Sequence, residues 1–88
     1  TIRIGLLLED TSREARSLAF AFQKTPYFDT TIHYNRKQIE NDLIASKIRG
    51  FVVIPQDFTK RIRANETVTI QIIADGSETN TASFVESY

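Results

Sequence analysis

The sequence predicts an α/β domain of three layers, in which a four-stranded, mostly parallel sheet carries helices on both faces. Four short apolar runs typical of strands alternate with four segments of helical periodicity. The chain has 88 residues, enough for one modest core but not for several domains. We expect the strand order 2-1-3-4, because the first and third runs are the most apolar and right-handed crossovers restrict the topology.

The first strand and helix are predicted from residues 2–8 and the segment that follows. Residues 2–8 are rich in Ile and Leu, which is typical of a buried strand. Thr11 stands three positions before Glu14, a spacing that predicts a capping box at the start of a helix. Pro26 ends that helix. One apolar face of the helix is formed by Ala15, Leu18, Ala19 and Phe22.

Residues 28–34 predict a second, more polar strand that suits the edge of a sheet. Asn35, three positions before Gln38, predicts the start of a second helix. Gly50 ends this helical segment. Its apolar face is predicted to consist of Ile39, Leu43, Ile44 and Ile48.

The last half of the chain predicts two more strands and two more helices. Residues 51–54 are wholly apolar and are the best candidate for a central strand, which Pro55 ends. A short helix is expected over residues 57–63, and apolar alternation over residues 68–73 predicts the fourth strand. A turn at residues 75–77 leads into a predicted fourth helix that continues to the end of the sequence.

Composition narrows the classes of function. Eleven basic and eleven acidic residues give a formal net charge of zero, whereas nucleic-acid binding usually requires a basic excess, so we expect no nucleic-acid partner. The absence of cysteine excludes disulfides and thiolate metal sites from these residues. No run of about 18 apolar residues is present that would span a bilayer. Both ends interrupt an element, which suggests a piece of a longer protein.

Polar residues follow the strands where α/β sheets commonly bind ligands, at the point where the strand order reverses. Asp10, Asp57 and Asp75 form the candidate polar cluster at this sheet edge. Asp10 and Asp75 together would suit a divalent cation. The alternative, which we favour, is structural: Asp10 lies at a helix start and Asp75 makes a turn.

The remaining patterns of catalysis are absent from the sequence. A phospho-accepting receiver domain would need an Asp after the third strand, where Pro55 stands. The three glycines do not form a dinucleotide or phosphate loop. His33, the single histidine, is expected to be an ordinary surface residue without a nucleophile beside it. We therefore predict no catalytic residue, no cofactor, no metal and no enzymatic activity.

The predicted fourth helix carries the candidate interaction residues, Phe84 and Tyr88. They are four positions apart and would form a second apolar stripe, rotated from the stripe of Ala82 and Val85 that would face the sheet. Two stripes predict two buried surfaces, one of which another part of the protein or a second copy would cover. The alternative is that both aromatic rings fold over the chain's own core.

Several segments together resemble the extracytoplasmic domain of ABC-2 type export permeases. The most specific are V-I-P-Q-D-F at residues 53–58 and D-G-S-E-T-N-T-A at residues 75–82, in this order. Gln56 and Thr79 stand where proline is frequent in the family. The full set of matching segments covers residues 4–12, 26–28, 48–58 and 70–82.

The resemblance implies a subunit of the cell (inner) membrane, with one membrane span before this domain and several after it. The domain would lie outside the cytoplasmic membrane, in the periplasm of a Gram-negative cell, and would serve interaction and assembly. A cytoplasmic ATP-binding subunit would drive export. Implied partners are a second permease subunit and a membrane-fusion protein. The alternatives are a ligand-sensing domain of another membrane protein and a metal-dependent phosphotransfer enzyme.

Overall fold

A computed structural model describes residues 1–74 and the backbone of residues 79–84. The described strands form one sheet in the order β2-β1-β3-β4-β5, so the predicted order 2-1-3-4 is confirmed and a fifth strand extends it. In chain order the elements are β1 (Ile2–Leu8), α1 (Arg13–Lys24), β2 (Phe28–His33), α2 (Arg36–Ile44), β3 (Gly50–Ile54), α3 (Phe58–Arg63), β4 (Val68–Ala74) and β5 (Thr79–Phe84).

The sheet is mixed in direction. β1 pairs in parallel with β2 and with β3, as the alternating pattern predicts. β4, however, runs antiparallel to β3, and β5 antiparallel to β4. The cause is α3, which has six residues and is therefore only about 9 Å long. It cannot return the chain along β3 to the opposite end of the sheet, so β4 begins near the end where β3 stops.

The prediction of a fourth helix is wrong, because Thr79–Phe84 form β5. In the register with β4, Thr79 lies opposite Ile73 and Phe84 opposite Val68. Threonines at alternate positions favour a strand, and the open edge of β4 provides the backbone partners for one. The predicted turn at residues 75–77 lies outside the described residues.

The predicted three layers are confirmed. α1 and α3 cover one face of the sheet, where Ala15, Ala19, Phe58 and Ile62 join the strand residues Leu6, Leu8, Ile54, Val68 and Ile70. α2 covers the other face, where Ile39 and Ile48 pack with Leu7, Phe51 and Val53. Successive residues of β1 and β3 thus point to opposite layers, which explains why residues 4–8 and 51–54 are apolar at consecutive positions.

Two details of the predicted helices need correction. α1 has Ser12 as its N-cap, so the expected Thr11–Glu14 capping box is not formed. Ile44 is 81% exposed at the end of α2 and does not belong to its buried face. The predicted cap of α2 is confirmed in part, because the Asn35 side chain accepts a hydrogen bond from the Gln38 backbone N–H at 3.0 Å.

Close packing of the sheet depends on two glycines. A Cβ atom on Gly5 would lie 2.7 Å from Cδ1 of Ile39, so the glycine lets α2 approach β1. A Cβ atom on Gly50 would lie 2.7 Å from the backbone oxygen of Ile73 in β4. The first contact involves a side-chain tip, whereas the second involves rigid backbone.

Candidate functional site

The carboxyl ends of β1 and β3 lie side by side, which is the sheet edge where the sequence predicts a binding site. Leu8 is paired with Ile54, and the pairing extends by a hydrogen bond from the Glu9 N–H to the Ile54 oxygen at 3.0 Å. From this edge the chain enters α1 after β1 and α3 after β3, and both helices lie on the same face of the sheet. Asp10 follows Glu9 and lies between the two helix starts.

The Asp10 side chain connects α1 to α3. One carboxylate oxygen accepts the Ser12 N–H at 2.8 Å, and the other accepts the Thr59 N–H at 2.7 Å. Asp10 is only 6% exposed. We call this arrangement of Asp10, Ser12 and Thr59 the aspartate junction. It joins segments that lie 49 residues apart in the sequence.

The electrostatics of the aspartate junction favour a charged carboxylate. Burial raises the pKa of Asp10, but the hydrogen bonds from Ser12 and Thr59 outweigh it and bring the pKa down from 3.8 to about 2. The carboxylate also lies at the amino ends of α1 and α3, where the helix dipoles favour negative charge.

The aspartate junction therefore occupies the place where an anion would bind. A ligand phosphate or carboxylate at a helix start uses the same backbone N–H groups that Asp10 already engages. These hydrogen bonds fit the structural interpretation of Asp10 at a helix start, while the cation site shared with Asp75 stays a prediction. Sequence reasoning located this residue at a helix start, but not its bond to Thr59.

Asp57, the second member of the predicted polar cluster, has a different environment. It is the N-cap of α3, yet its side chain makes no capping hydrogen bond. Instead its carboxylate accepts a hydrogen bond from Nε of Arg61, which lowers the pKa of Asp57. Asp75 lies outside the described residues, so the predicted cluster of three stays a prediction. Within residues 1–74 and 79–84, no group of three His, Cys, Asp or Glu residues is placed to hold a metal ion.

His33 is more covered than the sequence suggests. Its side chain is 10% exposed, and Nε2 lies 2.8 Å from Oγ1 of Thr31 and 3.9 Å from Oδ2 of Asp42. The expectation of an ordinary surface histidine is wrong in this respect. The two neighbours of His33 are the hydroxyl of Thr31 on β2 and the carboxylate of Asp42 on α2. Both contacts are local polar contacts at the edge of the sheet.

A second link between α1 and α3 lies at the surface. The guanidinium of Arg63 donates two hydrogen bonds to the carboxylate of Glu14, from Nε to Oε2 and from Nη2 to Oε1. This bond from Arg63 lowers the pKa of Glu14. Paired donors of this kind fix orientation as well as distance. The pair thus adds a second contact between α1 and α3, at the surface of the domain.

Exposed aromatic residues lie around α1 and β2. Phe20 on α1 is 58% exposed, Tyr27 before β2 is 75% exposed, and Tyr34 after β2 is 67% exposed. Phe20 and Tyr34 line one groove together with Ile32. We call these three aromatic residues the aromatic edge. β2 is the first strand of the sheet, so this surface adjoins a strand edge that no described strand covers.

Sequence reasoning missed the aromatic edge, although a signal for it exists. Phe20 follows Ala19 by one position and so lies about 100° around the helix from the buried face. Tyrosine and phenylalanine are enriched at protein interfaces. The position of an aromatic residue outside the buried stripe of an amphipathic helix therefore indicates a contact surface better than the hydrophobicity of that residue alone.

The predicted interaction residues Phe84 and Tyr88 do not share a helix stripe, since Phe84 is the last residue of β5. The backbone of Phe84 is paired with Val68. Tyr88 lies outside the described residues. Their role in interaction stays a prediction, but it can no longer rest on helical spacing.

Comparisons with known proteins give the same family throughout. The family model described as ABC-2 family transporter protein matches residues 1–88. The "Probable multidrug ABC transporter permease YbhS" of Escherichia coli K12 is 48% identical over 88 residues, covering 99% of this chain and 23% of the relative. The protein of the same name in Escherichia coli O157:H7 matches equally well. The chain thus spans about a quarter of the length of these curated relatives.

A solved structure shows the same fold. It is the crystal structure of a domain assigned to an ABC type-2 transporter of Thermotoga maritima MSB8, with a TM-score of 0.70 and 19% sequence identity. The match covers 82% of this chain and 49% of that one. Among the described residues, no helix has the length and apolar character needed to cross a membrane. With a family model matched over its whole length and permeases 48% identical to it, this chain belongs to the ABC-2 family of transporter proteins.

Proposed function

We propose that this chain is the extracytoplasmic interaction domain of an ABC-2 export permease, facing the periplasm in a Gram-negative cell. It contributes to ATP-driven export by assembly and performs no chemistry of its own. Its full-length protein lies in the inner membrane, and a cytoplasmic ATP-binding subunit acts through the membrane part. The permease relatives support this proposal, although the chain covers only 23% of their length.

The observation that carries the proposal is the contrast between the filled sheet edge and the aromatic edge. At the sheet edge, the two backbone N–H groups that would hold a ligand are bound by Asp10 itself. At the aromatic edge, Phe20 and Tyr34 present large apolar surface to solvent beside one groove. A domain built in this way is suited to contact a protein surface rather than to hold a small polar ligand.

The proposed partners are a second permease subunit and a membrane-fusion protein. Phe84 and Tyr88 are proposed to contact the rest of the permease. A ligand-sensing domain of an unrelated membrane protein is disfavoured, because the family model for ABC-2 transporters matches the whole chain.

The location of the domain is tested by labelling one cysteine in the full-length permease, with any other cysteines removed. Ile44→Cys places a thiol at a position that is 81% exposed, and Ile39→Cys places one at a position that is 0% exposed. A membrane-impermeant maleimide added to cells with a permeabilised outer membrane should label the first variant and not the second. Labelling of Ile44→Cys only after the inner membrane is opened contradicts the proposal.

The interaction role is tested by a photo-cross-linking amino acid at Phe20 or at Tyr34 in cells that express the complete transporter. We expect adducts with a second permease subunit or a membrane-fusion protein, and no adduct from the exposed position Lys37 on α2. Because Phe20 and Tyr34 are largely exposed, Phe20→Ser with Tyr34→Ser should leave the domain folded and lower export. Normal export by this double variant, with no adducts at either position, refutes the role of the aromatic edge.

A further inference from the structure

The outer edge of β2 lacks the features by which proteins usually prevent an exposed strand from pairing. Its six residues pair with β1 without interruption from Phe28 to His33, so no bulge bends the strand away. The strand contains no proline, lysine or arginine. Every second residue directs its backbone N–H and C=O away from β1, and within the described part of the chain no strand lies beside them. β2 can therefore accept another strand.

The side chains of β2 alternate between the two faces of the sheet. Ile32 packs against the core that α1 covers, whereas His33 lies 3.9 Å from Asp42 of α2. The even-numbered residues of β2 thus lie on the α1 side of the sheet, and the odd-numbered residues lie on the α2 side. Tyr34 follows β2 and lines a groove with Ile32, so it belongs to the α1 side as well.

Two polar groups on the α2 side have no partner in their own chain. Asp29 is exposed, and its carboxylate contacts none of the described residues. The ring of His33 uses Nε2 for its contacts with Thr31 and Asp42, and no described residue binds Nδ1. Four positions of a strand, about 13 Å, separate Asp29 from His33, so these two side chains cannot meet within one chain. They can meet between two antiparallel copies of β2.

We propose that β2 pairs antiparallel with β2 of a second copy of this chain, about a twofold axis at Thr31, so that the two sheets become one. Asp29 then lies opposite His33 of the second copy, and symmetry forms this pair twice. Thr31 lies opposite Thr31 at the centre. The inference rests on the proposed assembly role of the aromatic edge, and it names the partner as a second copy.

The same register suits the α1 side of the sheet. Thr30 lies opposite Ile32 of the second copy, and Phe28 lies opposite Tyr34, which pairs two aromatic rings at each end of the new contact. Tyr34 is 67% exposed in the single chain, so this pairing would cover a large exposed ring. A shift of the register by two positions would separate Asp29 from His33, so the polar pair selects this register over its neighbours.

The first test is disulfide formation in the full-length permease, in membranes and with any other cysteines removed. Thr31→Cys places two thiols opposite each other, where Cα atoms of an antiparallel pair lie about 4.5–5.5 Å apart, within the range of a disulfide. After mild oxidation we expect most of this variant to migrate as a dimer under non-reducing conditions. Ile44→Cys, 81% exposed at the end of α2, is the matched control and should remain monomeric. A monomeric Thr31→Cys variant overturns the proposal.

The second test determines the register. Asp29→Cys alone and His33→Cys alone should form no dimer, because each thiol would lie about 13 Å along the strand from its own counterpart. Two differently tagged permeases, one with each substitution, should form a disulfide when they are expressed together. A disulfide in either variant alone, or none in the mixed pair, contradicts the proposed pairing.

The third test changes charge rather than geometry. In the Thr31→Cys permease, Asp29→Lys replaces the carboxylate that faces His33 and should slow disulfide formation at least tenfold. Glu40→Lys makes the same change of charge on α2, where Glu40 pairs with Arg36, and should leave the rate unchanged. Equal rates for the two variants overturn the proposal. If Phe20 or Tyr34 forms photo-adducts with another protein while Thr31→Cys stays monomeric, this pairing fails and the proposed interaction role stands.

Discussion

Replacement of Asp10 by asparagine tests how strongly the aspartate junction holds α1 to α3. The carboxylate accepts backbone N–H groups of Ser12 and Thr59 at 2.8 and 2.7 Å. Asparagine has a single acceptor oxygen, so its amide nitrogen would face one of these donors and leave it unpaired. A buried unpaired donor costs about 1–3 kcal/mol, and a hydrogen bond to a charged group contributes about 1.5–3 kcal/mol. We expect Asp10→Asn to lower the free energy of unfolding by about 2–3 kcal/mol.

The loss of stability at low pH that Asp10 causes should be similar in size to the effect of Asp10→Asn. Folding lowers the pKa of Asp10 from 3.8 to about 2, and each pKa unit corresponds to about 1.4 kcal/mol. Because the folded-state pKa is the lower of the two, the stabilisation is complete well above 3.8 and is lost as the pH falls towards about 2. The unchanged chain should lose about 2 kcal/mol through this group, and Asp10→Asn should lose nothing through it.

The measurement is urea unfolding followed by circular dichroism, at neutral pH and at several lower values. With a slope of about 1 kcal/mol per molar urea for a small domain, Asp10→Asn should shift the midpoint by about 2 M. Asp57→Asn is the matched control, because its exposed carboxylate binds Arg61 within α3 and caps no backbone N–H. We expect that control to keep the original midpoint. Glu14 and Asp57 also have lowered pKa values, so some acid dependence remains in Asp10→Asn. Equal midpoints for the two variants, or an acid dependence of Asp10→Asn as large as that of the unchanged chain, would refute the reasoning.

The remaining predictions concern packing, and the same unfolding measurement checks them. Gly50→Ala should destabilise the domain by about 2–3 kcal/mol, because the new Cβ meets the backbone oxygen of Ile73. Gly5→Ala should cost less, about 1 kcal/mol, because Ile39 can move its side-chain tip; the reverse order would contradict this explanation. Ile39→Ala should cost about 2–5 kcal/mol at a position that is 0% exposed. Ile44→Ala, at an 81% exposed position, should change the stability by less than about 0.5 kcal/mol. A similar loss of stability for Ile39→Ala and Ile44→Ala would be inconsistent with the structure of α2.

Hydrophobic patterning predicted the layers and most of the sheet. Residues 4–8 and 51–54 carry no polar side chain, a pattern typical of a strand that is covered on both faces. That property placed β1 and β3 in the interior, and together with the restriction to right-handed crossovers it predicted the order 2-1-3-4, which the sheet has. Hydrophobic patterning does not indicate, however, whether neighbouring strands run parallel or antiparallel. The antiparallel course of β4 depends on the length of α3, because a helix of six residues cannot return the chain.

Local signals near an element boundary were less informative, because they compete with contacts that the sequence does not show. Thr11 and Glu14 have the spacing of a capping box, but the Asp10 carboxylate binds the Ser12 N–H and the helix begins one residue later. At Thr79–Phe84 the open edge of β4 supplies a pairing partner that prevails over the predicted helix. The bond between Asp10 and Thr59 joins positions 49 residues apart, and no local pattern encodes such a contact.

The interior position of β3 determines when the core can close during synthesis. β1 pairs with β2 on one side and with β3 on the other, so residues 1–49 alone leave one edge of an apolar strand without a partner. The Thr59 N–H that Asp10 accepts arrives later still. A nascent chain therefore exposes its most apolar strand until about two thirds of these 88 residues have been made. Shorter nascent chains should bind a chaperone rather than fold in halves.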